Sequence, residues 1–375
     1  MIRPTAVQTR DKFLIIRLVG VGDVVMASSV ARRLREERPA AHIAWLCGNT
    51  AAPLVERFSC VDEVIAVDER RLMRGSAVAR LAVLIPLWRQ LIKARFTHIV
   101  LLHPDPRYRV LVAPLRGAQL FAQTRDARLG SINPIPGRYL GDEFARVVDG
   151  IANRGPLAGH YPLAELAPRQ KARELGMTRV ALVPGGTRNV LRESVLKRWP
   201  VEQYADVAKS LAADGCEVVL VGDAADRWVL DHFKGVRITD RLGALSLPAT
   251  AELLADCDLV ISHDTGPMHL ARLARAPLLA LFGPTPPSQF VVEDEHTVVL
   301  HGGAHLACRP CYDGREFADC SDNQCMSSIS ADVVFRTAKT MLQRTGRSVS
   351  KDAEIVPAAR VSSATSNVND VINGP

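Results

Sequence analysis

Short apolar runs alternate with amphipathic stretches along this chain, and the alternation runs through twice. In the first series Phe13–Leu18, His42–Leu46, Glu63–Val67 and His98–Leu102 predict strands. Between them Val24–Glu37, Thr50–Phe58 and Leu81–Ala94 place apolar residues at helical spacing. The pattern weakens over 130–169, where Pro and Gly are frequent and Glu143–Asn153 predicts one helix. It resumes with strands at Val180–Val183, Glu217–Val221, Leu259–Ser262 and Pro277–Phe282, separated by helices at Val201–Asp214, Ser246–Cys257 and Pro267–Ala274. Strands separated by single helices form parallel sheets through right-handed crossovers. The expected fold class is therefore α/β, with two Rossmann-like domains at 1–165 and 166–344. The remainder, 345–375, is rich in Ser, Asn, Ala and charge, and reads as a disordered tail.

Several classes are excluded at this stage. With 47% hydrophobic and 23% charged residues the chain can build sizeable cores. No window supplies the roughly 18 apolar residues of a membrane span. The first apolar run, Phe13–Ile16, is broken at Arg17 and is too short for an export signal. A cytoplasmic location with reduced thiols is the expectation. A net charge of +7 suits phosphorylated substrates or an anionic membrane surface. Aromatics are only 5% and form no cluster with basic residues, which argues against nucleic acid.

Three motifs follow predicted strands. In Arg17-Leu18-Val19-Gly20-Val21-Gly22-Asp23 a glycine turn leads into a helix. Val25 occupies the third-glycine position of a dinucleotide fingerprint, so a dehydrogenase is not supported. Asp23 is either an N-cap or a carboxylate at the strand's C-terminal end, where open α/β sheets bind ligands. Pro184-Gly185-Gly186-Thr187-Arg188, with Lys197-Arg198-Trp199-Pro200 beyond it, reads as a phosphate cradle or as a turn with a solvated basic loop. In Ser262-His263-Asp264-Thr265-Gly266-Pro267-Met268-His269 a helix N-terminus offers an anion site. Phosphate would repel Asp264, so a sugar hydroxyl is its expected partner. His269 either touches ligand or is an ordinary half-buried residue.

Together these motifs resemble glycosyltransferase family 9, the ADP-heptose:lipopolysaccharide heptosyltransferases and their relatives, over about residues 12–342. The resemblance implies a GT-B fold of two facing Rossmann-like domains, with acceptor on the first and nucleotide sugar on the second. It implies inverting heptosyl transfer that needs no cofactor for the chemistry, from ADP-heptose to a lipopolysaccharide core or similar glycolipid, with peripheral contact at the cytoplasmic face of the inner membrane. By motif, Asp23 matches the general base and Gly22 the acceptor side. Thr187 and Lys197 match the diphosphate contacts, and Asp264, Thr265 and Gly266 the donor loop, while Gly186, Arg188 and His269 join the expected donor site from their own chemistry. Asp226 falls near the position holding the ribose, and Leu245 near the adenine wall. The chain departs from the family in placing Val19 and Val21 where hydroxyl residues are frequent. Arg107 and Arg109 either clamp acidic acceptor groups or are solvated. The readings that compete with this one are transfer to a protein or another glycan, and a catalytically silent nucleotide-sugar binding module.

Two features bear on metals. The Asp-x-Asp sequence Asp256-Cys257-Asp258 precedes its strand, so it is expected at the sheet edge away from the crevice. Cys308, Cys311, Cys320 and Cys325 fall within 18 residues and can surround a structural Zn or Fe. The alternatives are a reduced loop that binds nothing or a reversible disulfide. The other four, Cys47, Cys60, Cys216 and Cys257, lie in apolar contexts and are expected in cores.

Overall fold

The computed structural model describes residues 11–123, 135, 137–151, 159–166, 176–190, 192–309, 311–312 and 316–344. Five strands, β1 (Lys12–Ile16), β2 (His42–Gly48), β3 (Glu63–Val67), β4 (His98–Leu101) and β5 (Gln119–Ala122), pair in the order β3-β2-β1-β4-β5. Six more, β6 (Arg179–Val183), β7 (Glu217–Leu220), β8 (Thr239–Asp240), β9 (Leu259–His263), β10 (Leu278–Phe282) and β11 (Thr297–His301), pair in the order β11-β10-β9-β6-β7-β8. All these pairings are parallel: Leu14 faces Ala44 and Ile99, and Ala181 faces Val219 and Val260. The central strands read as continuous apolar runs because helices cover both of their faces.

The first sheet is dressed by α1 (Val21–Glu37), α2 (Ala52–Val55), α3 (Glu69–Arg74), α4 (Ala77–Ala94) and α5 (Leu140–Arg146). The second carries α6 (Val201–Ala213), α7 (Leu247–Ala255), α8 (Gly266–Leu273), α9 (Pro287–Phe290), α10 (Gln324–Ser327) and α11 (Ala331–Arg344). Two Rossmann-like α/β halves with parallel sheets are what the alternation predicted.

Element boundaries differ where tertiary contacts intervene. The helix expected at Thr50–Phe58 shrinks to α2, because Phe58 leaves it to bridge Leu166. α4 starts four residues early, at Ala77, since the Ser76 hydroxyl accepts the Ala79 N–H and caps it. The helix expected at Glu143–Asn153 is α5, which ends at Arg146, and residue 153 lies outside the described residues. The short strands β5, β8 and β11 and the six-residue α3 carry too little periodic sequence to be anticipated, whereas α11, also not anticipated, does place Val334, Ala338, Met341 and Leu342 at helical spacing. The expected tail, 345–375, lies outside the described residues.

The halves share a core. Val24 and Val25 of α1 belong to the same buried cluster as Met268 and Leu270 of α8 and Val183 of β6. Apolar surface continuous across the seam holds the two halves together. Ala164 and Leu166 still contact the first half, the Ala164 N–H donating to Ser28 Oγ at 2.9 Å and Leu166 bridging Phe58.

Candidate active site

In each sheet the chain order reverses beside the first strand, between β1 and β4 and between β6 and β9. Loops leaving such neighbours diverge to opposite faces and open a crevice at the strands' C-terminal ends. All three motifs occupy those loops.

On the first half, Asp23 sits in the first turn of α1, whose N-cap is Gly20 without a side-chain cap bond. The N-cap reading of Asp23 is thereby corrected: its carboxylate is engaged instead by Arg17 Nη2. Arg17 is nearly buried, also donates to the Leu102 carbonyl, and lies over the Phe144 ring at 5.3 Å. Behind this pair, His103 Nε2 accepts the Leu18 N–H at 2.9 Å and its ring stacks on Tyr108 at 3.6 Å. Burial, aided by Arg17, pushes the His103 imidazole well below its usual value, as an acceptor nitrogen requires.

On the second half, the loop after β6 is held open from three sides. Gly186 has φ +84°, and a Cβ there would lie 2.5 Å from Thr265 Oγ1. Thr187 is β-branched yet has φ +62°, its N–H donates to Thr265 Oγ1 at 3.0 Å, and its own hydroxyl is buried with no hydrogen-bond partner. Strain together with an unsatisfied hydroxyl marks a ligand-facing turn. Arg198 clamps the Gly186 carbonyl at 2.8 and 3.2 Å, and Trp199 anchors the segment by donating to the Ile329 carbonyl at 2.8 Å.

Asp264 and Asp226 are both engaged within the protein. Asp264 is buried, with Oδ2 taken by Lys197 Nζ at 2.7 Å and Thr285 Oγ1 at 3.0 Å, and Oδ1 3.8 Å from His269 Nε2. Burial opposes its ionisation, but Lys197 and His269 outweigh burial and hold the carboxyl well below the carboxylate range. Asp264 thereby fixes the lysine over the crevice and the Phe290 ring, 5.2 Å away. Asp226 is 1% exposed and both oxygens serve the backbone, accepting the Gly186 N–H at 2.8 Å and the Asp223 N–H at 2.9 Å. It therefore shapes the loop and presents no free carboxylate to a ribose; Arg188 reaches it at 3.4 Å. Leu245 is half-buried in the turn between β8 and α7.

The halves meet at two helix N-termini. A Cβ on Gly22 would lie 2.6 Å from His269 Nε2, and one on Gly266 would lie 3.3 Å from Val21 Cβ. Gly22 and His269 thus bring Asp23 and the Asp264–Lys197 pair to one seam. Arg107 stands apart: it is exposed and forked onto Asp105, with bonds of 2.6–3.1 Å. Arg109 is half-buried on the same turn. A separate cleft of about 700 Å³ lies behind the seam, bordered by Arg57 and Glu252, which are 3.0 Å apart. Arg17, His103, Arg198 and Thr285 were not singled out from sequence, since each acts through a partner brought in by the fold.

Asp258 accepts the Arg179 N–H at 2.8 Å, at the start of β6 and away from the crevice, as the Asp-x-Asp argument expected. Among the four clustered cysteines, Cys308 and Cys320 are exposed, Cys311 is half-buried and Cys325 is buried. Burial and the neighbouring thiols raise Cys325 to about 11, and the same causes raise Cys311. Cys320 Sγ accepts the Asn323 N–H at 3.3 Å. Four thiols suit Zn or Fe by chemistry, yet among the described residues no group of three or more His, Cys, Asp or Glu is close enough to hold a metal ion.

Comparison with known proteins places these loops in context. Residues 162–319 match the family model described as glycosyltransferase family 9 (heptosyltransferase). Lipopolysaccharide heptosyltransferase 2 of Salmonella typhimurium is 27% identical over 311 residues, covering 74% of this chain and 84% of that protein. The structure of Escherichia coli ADP-heptose lps heptosyltransferase II superposes with a TM-score of 0.67 at 20% identity, over 89% of this chain and 99% of that one. The iron-containing dodecameric glycosyltransferase TibC of enterotoxigenic E. coli gives 0.56 at 15% identity, over 90% and 77%.

Proposed function

Because this chain belongs to glycosyltransferase family 9, we propose that it transfers heptose from ADP-heptose to a lipopolysaccharide-core acceptor with inversion. One observation carries this reading: the turn of α1 that holds Asp23 abuts the N-terminus of α8, with Gly22 against His269 and Val21 against Gly266, and Asp264 just before that helix holds Lys197. The Asp23 carboxylate takes the proton of the acceptor hydroxyl, whose oxygen attacks the anomeric carbon from the face opposite the diphosphate. The bond from that carbon to the diphosphate oxygen breaks, and ADP departs with the electron pair. Charge growing on the diphosphate is met by Lys197, Arg188, the Thr187 hydroxyl and the amides that open α8. Arg17 is a positioning residue that fixes the Asp23 carboxylate toward the seam.

The test is transfer from ADP-heptose to an acyl-free core acceptor. Asp23→Ala lowers turnover by about 10²–10⁴-fold while leaving donor affinity within a few-fold. Equal loss of both would remove Asp23 from proton transfer, and no turnover by the unaltered chain would reject the reaction. The relatives' names support the heptose and lipopolysaccharide assignments. The reaction belongs at the cytoplasmic face of the inner membrane, with the chain attached peripherally. The four thiols Cys308, Cys311, Cys320 and Cys325 would hold a structural Zn or Fe only by closing on it, and such a metal would take no part in the transfer. The iron-containing neighbour supports that assignment.

A further inference from the structure

The first half carries a surface that the reaction does not use. α4 turns Leu84, Leu87 and Leu91 inward, while Val78, Leu81, Ile85 and Ile92 stand 78, 48, 42 and 53% exposed. At helical geometry these four fall in one stripe about 60° wide, with Arg89 and Lys93 along its edge. α3, packed beside it, adds the exposed Arg70, Arg71 and Arg74. From 69 to 116 the sequence holds ten Lys and Arg against two Asp and Glu, so this segment alone accounts for the net +7 of the chain. Of the two acids, Glu69 is buried and Asp105 is bound to Arg107.

An apolar ridge rimmed by cations matches the interfacial layer of an anionic bilayer, where the ridge enters the acyl boundary and the cations meet headgroups. Among the described residues no helix is long and apolar enough to cross a membrane, so α4 would lie in the surface plane. The face also leads to the site. Trp88 Nε1 donates to the Val110 carbonyl at 2.9 Å, and Tyr108, 3.8 Å from Met73 Sδ, stacks on the His103 that holds Leu18. Leu18 opens the loop that carries Asp23.

We propose that the α3–α4 face docks on an anionic lipid bilayer and turns the acceptor side of the seam toward it. This deepens the proposed function and rests on it, since a lipid-linked acceptor is met at a membrane. The experiment is co-sedimentation of the full chain with vesicles containing phosphatidylglycerol, compared with pure phosphatidylcholine vesicles. Binding to the anionic vesicles is expected to exceed binding to the neutral ones at least tenfold and to weaken between 0.1 and 0.5 M NaCl. Leu81→Asp with Ile85→Asp, and separately Arg89→Gln with Lys93→Gln, each reduce binding about tenfold or more. Both pairs keep the melting temperature and the turnover on the acyl-free acceptor. Equal binding to both vesicle types, unchanged binding by either variant, or no binding overturns the proposal. So does a dimer that Leu81→Asp with Ile85→Asp dissolves, which would give the face to a second copy. If the chain binds as expected but transfers no heptose to the soluble acceptor, the reaction assigned above fails and the surface stands.

Discussion

Water screens the Lys197–Asp264 pair poorly, because the two side chains are 17% and 4% exposed. Removing one partner of such a pair leaves a buried charge, a loss of about 3 kcal/mol or more. Lys197→Ala is therefore expected to lower stability as well as donor binding. Adding Asp264→Asn restores most of the stability and none of the binding. Thermal melts of both variants check this, and a single variant that melts normally would deny the pair its buried character. A second prediction concerns His263, which is fully buried against the Tyr204 hydroxyl at 3.1 Å, with burial pushing its imidazole down to about 3. Between that value and the unfolded value of about 6.5 the unfolded chain binds more protons, so stability falls as pH falls, by up to about 1.4 kcal/mol per pH unit. Above pH 6.5 the contribution is complete. His263→Gln should flatten the slope between pH 7 and 5, and an unaltered slope would reject the assignment. At this scale the sequence offered Asp23 and Thr187 because each lies in a glycine turn just after a strand, and Lys197 and His269 because each lies in a motif close behind one. It hid Arg17 and Thr285, whose roles depend on carboxylates reached through folding.

Periodicity located the central strands and most of the helices, missed α11, and had little to read in the edge strands. α6 and α8 match their expected spans within a residue or so, whereas β8 is two residues long and carries no pattern to read. The cysteine loop is the element whose sequence says most beyond its backbone. Its Tyr312 packs on Phe317 at 4.8 Å and lies 6.3 Å from Phe290, the ring beneath Lys197. A bound metal would stiffen this wall of the crevice. Protein purified without added metal should contain about one equivalent of Zn or Fe, and a chelator that strips it should lower the melting temperature and weaken donor binding. Elemental analysis well below one equivalent sinks the idea.

For the molecule as a whole, the approach of Gly22 to His269 leaves no room for a methyl group. Gly22→Ala is therefore expected to wedge the halves apart while each keeps its own fold, since alanine suits a helix better than glycine does. Small-angle scattering should show a larger radius of gyration, and turnover should fall roughly tenfold or more. Gly22→Ala with His269→Ala should return the radius to its original value. An unchanged radius in the single variant would mean that the seam tolerates the extra atom.

Periodicity and turn chemistry are local properties, so the α/β class, the two series of parallel crossovers and the loops that end them can be read along the chain. Which carboxylates are already engaged cannot, because their partners arrive only on folding. Asp264 and Asp226 look alike in sequence to any ligand-binding acid, yet a lysine and two backbone amides respectively engage them once the second sheet has formed. Asp23 faces the seam because Arg17 and the packing of α1 against α8 hold it there. Such choices depend on distances between residues far apart in the chain, and chain order does not record them.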